Sequence, residues 1–226
     1  MDELSRSKFR AVGAITVLVI AVLAIFFVFY QAKEKKNTVL KLRGVYTDLI
    51  QTLQFSMNLN MEPEYWGFKA GYRNVAVLDD YVFKYLRIKE NCVKTNGTCF
   101  PEESYLNFAK EDSGIKLGKL PSVILNNNIS IAVETISQCK KKDSPCALIY
   151  VDINSTKKPN VLGKDLFVLV LSNSKKNPIL PYAVNLPKDE LLHHDKYGCN
   201  NYSKMPMYCA AYLFNNQWNL DSNYPW

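Results

Sequence analysis

Four oxygen-bearing side chains, Asp152, Asn154, Asn160 and Asp165, crowd one short stretch between two apolar runs. Carboxylates and amide oxygens at that density are the donor set of a Ca²⁺ loop. The same Asx side chains also shape turns by bonding their own backbone, with no ion present. Lys157, Lys158 and Lys164 bring positive charge into the same stretch, so the turn is the favoured reading and calcium the alternative. A second set is six cysteines in three close pairs: Cys92 and Cys99, Cys139 and Cys146, Cys199 and Cys209. An even count at short spacing is a disulfide framework of an oxidising compartment. Nearest-neighbour pairing is the simplest of the possible connectivities. Zinc is the rival, but there is no Cys-x-x-Cys, and the only histidines are the adjacent His193 and His194. Neighbouring residues on a helix point about 100° apart, so this is not the paired-histidine arrangement of a zinc protease. A solvated pair is the simpler account of them. No Gly-x-Ser-x-Gly, Ser-x-x-Lys or phosphate loop occurs. The residues make no case for an enzyme and ask for no organic cofactor. Trp66, Trp218 and Trp226, with Tyr65 and Tyr224, read as core closure first and as a sugar-stacking surface second.

Those residues need elements to position them, and the first element is unlike the rest of the chain. Of 226 residues, Ala11 to Tyr30 form a run of 20 without a charge. At about 1.5 Å per residue this makes about 30 Å of helix, the thickness of a bilayer core. The reading is a short cytosolic N-terminus over residues 1–10, one transmembrane helix over 11–30, and an exported domain over 31–226. Basic residues flank both ends of the run (Arg6, Lys8 and Arg10; Lys33, Lys35 and Lys36), so the positive-inside rule does not decide the orientation. The cysteines do, because disulfides place the large domain outside the cytosol. The formal net charge of +7 is spread along the chain, with a local peak at Lys140, Lys141 and Lys142. Basic residues beyond the run are almost all lysine, with no arginine-rich stretch. The expectation is no nucleic-acid partner.

Beyond the run, Val39, Leu42, Tyr46, Leu49, Leu53 and Met57 recur at steps of 3 and 4. The spacing predicts that the helix continues, now amphipathic, to about Asn58. Pro63 and the surrounding Asn residues stop it. Val75 to Ile88 reads as a second helical stretch. From Ser122 the apolar residues come in short runs: Val123–Leu125, Ile129–Val133, Ala147–Asp152, Asp165–Leu171 and Ile179–Val184. These predict five strands, with Pro181 marking the last as an edge. The fold class is α+β: a long N-terminal helix, half membrane span and half amphipathic, packed on an antiparallel sheet.

The order and the local sequences resemble the type IV pilin and type II secretion pseudopilin family. The matching pieces are Lys41-Leu-Arg-Gly-Val-Tyr-Thr-Asp-Leu, Phe83-Lys-Tyr-Leu with Asn91-Cys92 and Cys99-Phe-Pro, and Asp152-Ile-Asn with Lys158-Pro-Asn and Gly163-Lys-Asp-Leu-Phe. Tyr208-Cys-Ala-Ala-Tyr-Leu and Asn216-Gln-Trp-Asn-Leu-Asp complete the set. Together they cover most of residues 35–222 in order. The resemblance implies a pilin-like fold and a non-enzymatic subunit of a type II secretion or type IV pilus system. It would sit in the bacterial inner membrane among lipid, other pilin-like subunits and inner-membrane assembly proteins. Some pseudopilins also hold calcium in a loop of the C-terminal domain.

The N-terminus departs from the family pattern. The family leader ends in Gly followed by Phe-Thr-Leu-x-Glu, whereas here Lys8 stands for the Gly and Gly13 for the Glu when Phe9 is aligned with the first mature residue. The expectation is therefore a chain that prepilin peptidase does not mature. An alternative comes from four sequons, at Asn96, Asn128, Asn154 and Asn201. Taken literally they describe a single-pass type II surface receptor, adhesin or glycoprotein ectodomain.

Overall fold

The structure is a computed structural model. It describes the backbone of residues 3–95 and 98–226, and the side chains of all of these except 3–15, 17, 94 and 95. Of the cytosolic N-terminus expected over residues 1–10, residues 1 and 2 and every side chain lie outside the described residues. The sequon asparagine at position 96 lies outside them too. The chain divides into two compact units, Met1–Asn37 and Thr38–Trp226.

In the first unit the described backbone is helical, part of α1 (Glu3–Asn60). From Leu18 to Tyr30 the large apolar side chains are exposed, from 42% at Val22 to 71% at Phe29. Among the described residues no helix is long and apolar enough to cross a membrane. The expected span, Ala11–Tyr30, falls partly outside those residues, at side chains 11–15 and 17.

In the second unit the amphipathic half of α1 supplies one wall of the core. Val39, Leu42, Tyr46, Leu49, Leu53 and Met57 are all buried, as their spacing requires of one helix face. The helix stops at Asn60, and Met61 takes a left-handed φ of 63° before Pro63 opens a short 3₁₀ turn, Pro63–Tyr65. The side chain of Ser56, fully buried, donates to Tyr81 O at 2.6 Å, which secures this end of α1 to α2 (Val75–Tyr81). Leu53→Ala should therefore cost about 2–5 kcal/mol, while Leu40→Ala on the exposed face should stay within about 0.5 kcal/mol. Denaturant unfolding of the two variants checks the contrast; equal losses would remove the stripe from the core.

The helix expected over Val75–Ile88 is shorter than its pattern. α2 ends at Tyr81, a 3₁₀ turn spans Phe83–Tyr85, and Ile88–Asn91 forms a strand, β1. The cause is tertiary. Ile88 pairs with Leu125 and Asn91 with Val123 across the sheet, and this pairing overrides the weak local helical pattern. A four-residue helix, α3 (Cys92–Thr95), follows. The remaining strands are β2 (Ser122–Leu125), β3 (Ser130–Thr135), β4 (Pro145–Asp152), β5 (Leu166–Ser172) and β6 (Ile179–Pro181). They form one antiparallel meander in chain order, β1 to β6. Nearly every residue of β3, β4 and β5 is buried, so the middle of the sheet is covered on both faces. Pro181 sits on the edge strand, where its missing N–H breaks no ladder. Two further helices, α4 (Lys188–His193) and α5 (Cys209–Asn215), complete the unit, with α5 against β5 and β6. Tyr46 of α1 meets Phe214 and Trp218 at ring-centroid distances of 5.6 and 5.3 Å, so the helix and the C-terminal segment share one core. The protein is α+β, with a long N-terminal helix and a six-stranded antiparallel sheet.

Candidate functional site

The connection between β4 and β5 carries the densest set of buried polar groups. Asp152 ends β4 and is fully buried; Asp165, just before β5, is 5% exposed. One Asp152 carboxylate oxygen accepts the Tyr105 hydroxyl, and the other accepts the Asn154 N–H at 2.9 Å. Asn154 Nδ2 donates to one Asp165 oxygen at 2.9 Å, and Val161 N–H donates to the other at 2.9 Å. All four carboxylate oxygens therefore already accept donors from the chain itself. Burial pushes the Asp152 carboxyl up to about 7, and the charge of Asp165 adds to the rise, against the Tyr105 hydroxyl and the backbone N–H groups of Asn154 and Ser155. Burial, then the charge of Asp152, also pushes the Tyr105 hydroxyl well above the phenolic range. The arrangement sets a carboxyl that titrates near neutral pH in the core, shielded from solvent.

Asp152, Asn154 and Asp165 are thus joined in one network. Asn160 is not linked to them through its side chain. Its carbonyl accepts Leu106 N–H, and it lines a recess of about 270 Å³ with Glu103, Asp112 and Lys158. Among the described residues no group of three or more His, Cys, Asp and Glu side chains is arranged to hold a metal ion. The donor chemistry of Asp152, Asn154 and Asp165 suits calcium, but an ion would have to displace bonds that already close the turn. Melting of the chain in millimolar calcium and in chelator should therefore coincide. A calcium-dependent rise would restore the ion-binding account.

Sequence reasoning missed the neighbours that close this site. Tyr105 lies 47 residues before Asp152, in a stretch with no apolar period. Gly163, in the same loop, has φ +86°, and a Cβ built there would lie 2.7 Å from Cys209 Sγ and 2.8 Å from the Phe108 ring. Tyr224, near the C-terminus, donates its hydroxyl to Gly163 O at 2.5 Å. The loop is therefore backed by the C-terminal segment, and a glycine at 163 is the one signal in the sequence that close packing leaves behind.

The cysteines form three disulfides, Cys92–Cys99, Cys139–Cys146 and Cys199–Cys209. His193 is exposed, 3.1 Å from the Tyr202 hydroxyl and 3.8 Å from Asp189. His194 is half-buried. Its Nδ1 accepts the N–H groups of Lys196 and Tyr197, and its ring packs on Tyr197 and Tyr208. Trp66 and Tyr224 are buried, Trp218 and Trp226 are partly buried against the core, and Tyr65 is exposed. These aromatics do not form one surface.

No curated protein and no solved structure matches the chain. Residues 28–226 match a family described as a family of unknown function (DUF6613), and the chain belongs to that family.

Proposed function

We propose that the chain is a pilin-like, membrane-anchored, non-enzymatic subunit of a type II secretion or type IV pilus system. Ala11–Tyr30 would hold it in the bacterial inner membrane, with residues 31–226 exported. The observation that carries this reading is α1. Large apolar side chains stand exposed around the helix from Leu18 to Tyr30, and an amphipathic stripe on the same helix is buried under an antiparallel sheet. Uncovered apolar surface of that extent is unfavourable in water and calls for lipid or neighbouring helices. The three disulfides support an extracytosolic second unit. The partners proposed are lipid, other pilin-like subunits and inner-membrane assembly proteins.

The test is made in native membranes. The chain should resist alkaline extraction, reporters fused at position 60 and at the C-terminus should both report an extracytosolic location, and crosslinking should recover pilin-like subunits. Cytosolic reporter activity or release by alkali would overturn the anchor. Recovery of unrelated ligands alone would favour the surface-receptor or adhesin alternative. That alternative draws on the exposure of Asn128 and Asn201, two of the sequon asparagines, and a mass shift on enzymatic deglycosylation would support it.

A further inference from the structure

The second unit, residues 38–226, carries 22 basic and 18 acidic residues. Its whole excess of positive charge sits on three segments at the end where α1 stops. Residues 62–74, 139–146 and 173–177 hold seven basic and three acidic residues, and the rest of the unit is balanced at 15 of each. Direct bonds hold these segments together. Lys175 pairs with Glu62 at 2.9 Å, Asn173 Nδ2 donates to Glu64 at 3.3 Å, and Asp143 N–H donates to Asn173 O at 2.9 Å.

Within that end the charge is divided again. The cleft between the segments, about 630 Å³, sets Glu62, Glu64 and Asp143 against Lys142, Lys175 and Lys176 and is neutral. A small anion seated in it gains no net attraction. The excess lies outside the cleft lining, on Lys69, Arg73, Lys140 and Lys141. All four are exposed, and none is in ion-pair contact among the described residues. Tyr65 and Tyr72, in the same segment as Lys69 and Arg73, are 60% and 68% exposed. Both cation-bearing loops are held in shape. The Cys139–Cys146 disulfide closes one. In the other, the Asn74 side chain accepts Lys69 N–H at 3.0 Å and donates to Lys69 O at 2.8 Å and Tyr72 O at 2.9 Å. Their backbones therefore have little freedom left to lose on contact.

The distribution selects the partner. Cations on separate loops around a neutral cleft form no continuous track for a nucleic-acid strand. A protein partner would draw its affinity from an apolar anchor in a pocket, and no aliphatic or aromatic residue lines the cleft. An anionic bilayer surface reads net charge over about 8 Å and needs no register. It also takes tyrosines at headgroup depth beside lysines. We propose that this end of the second unit binds an anionic lipid surface, with Lys69, Arg73, Lys140 and Lys141 on headgroup phosphates and Tyr72 among the headgroups. The proposal rests on the second unit alone and does not depend on the anchor.

The experiment is co-flotation. The full chain is held in neutral phosphatidylcholine nanodiscs, which shelter its exposed apolar helix, and is mixed with separate target vesicles. Binding to vesicles with about 30% phosphatidylglycerol should be at least about tenfold tighter than to phosphatidylcholine alone and should be lost in about 0.5 M salt. Lys69→Gln, Arg73→Gln, Lys140→Gln and Lys141→Gln combined should weaken it about tenfold or more. The same number of changes at Lys110, Lys116, Lys119 and Lys204, exposed elsewhere on the unit, should leave it unchanged. If the first combination does not fold, Lys140→Gln with Lys141→Gln carries the test. Equal flotation with neutral vesicles, equal effects of the two combinations, or tighter capture by polyglutamate or single-stranded DNA would overturn the proposal. Failure of the anchor shows instead in alkaline extraction, so the two readings fail separately.

Discussion

Gly163→Ala should lower the stability of the folded domain by roughly 2–5 kcal/mol, well beyond the usual cost of a glycine replacement. Two terms add. An alanine at φ +86° sits in the left-handed region, which costs about 1–2 kcal/mol. Its Cβ would also lie 2.7 Å from Cys209 Sγ and 2.8 Å from Phe108. Cys209 has little room to yield, and the partly exposed Phe108 ring has more. Cys209 is buried and pinned by Cys199, and the Phe108 ring is set edge-on against Tyr224. Overpacking of this kind costs about 1–3 kcal/mol. Gly67→Ala separates the terms. Gly67 has φ +79° with nothing within 4 Å, so its replacement should show the conformational cost alone. In thermal melts the Gly163 variant should fall by roughly 5–15 °C and the Gly67 variant by only a few degrees. Equal shifts would mean that the C-terminal segment does not back the loop.

The second large effect is a pH dependence. Asp152 has a folded-state value of about 7, raised chiefly by burial and further by the charge of Asp165, against the Tyr105 hydrogen bond. The sign follows from the raised value. The contribution is fully present below the ordinary carboxylate range and is lost as pH climbs through 7, because the unfolded chain gives up this proton far more readily. The loss is on the order of 4 kcal/mol between about pH 4 and about pH 8.5. Asp152→Asn removes the titration. Its amide can keep the oxygen on Asn154 N–H and turn its N–H toward the Tyr105 oxygen. Relative to the parent chain, the variant should gain stability steadily as pH rises, as read by denaturant unfolding at several pH values. A constant difference between the two would mean that Asp152 is ionised in the folded state at all of them.

How much of this was legible depends on how local the signal is. The buried stripe of α1 could be read because 3.6-residue periodicity is written in neighbouring residues, and β2 to β5 because continuous apolar runs mark strands covered on both faces. β1 could not be, because Ile88-Lys-Glu-Asn carries no strand pattern and becomes one only by pairing with β2. The short helices α4 and α5 left no pattern that was read. The cysteine pairs were legible from spacing alone. In the β4–β5 connection the sequence grouped four oxygen-bearing residues, of which three share a network and Asn160 faces a different recess. Tyr105 and Tyr224 reach the loop from remote parts of the chain, and proximity of that kind is not encoded in spacing.

The meander also bears on the order in which the domain can be assembled. Each strand pairs with the one made immediately before it, and the disulfides close loops of only 7, 7 and 10 residues. A chain emerging N-terminus first could zip its sheet and oxidise each cysteine pair as it appears, with little long-range searching. The exception is α1. It is synthesised first, yet its Tyr46 closes on Phe214 and Trp218, which arrive last. Until then its stripe has no cover from the C-terminal segment. The interval is the stage of biogenesis most exposed to aggregation, and the one at which a holding partner for the helix would matter most.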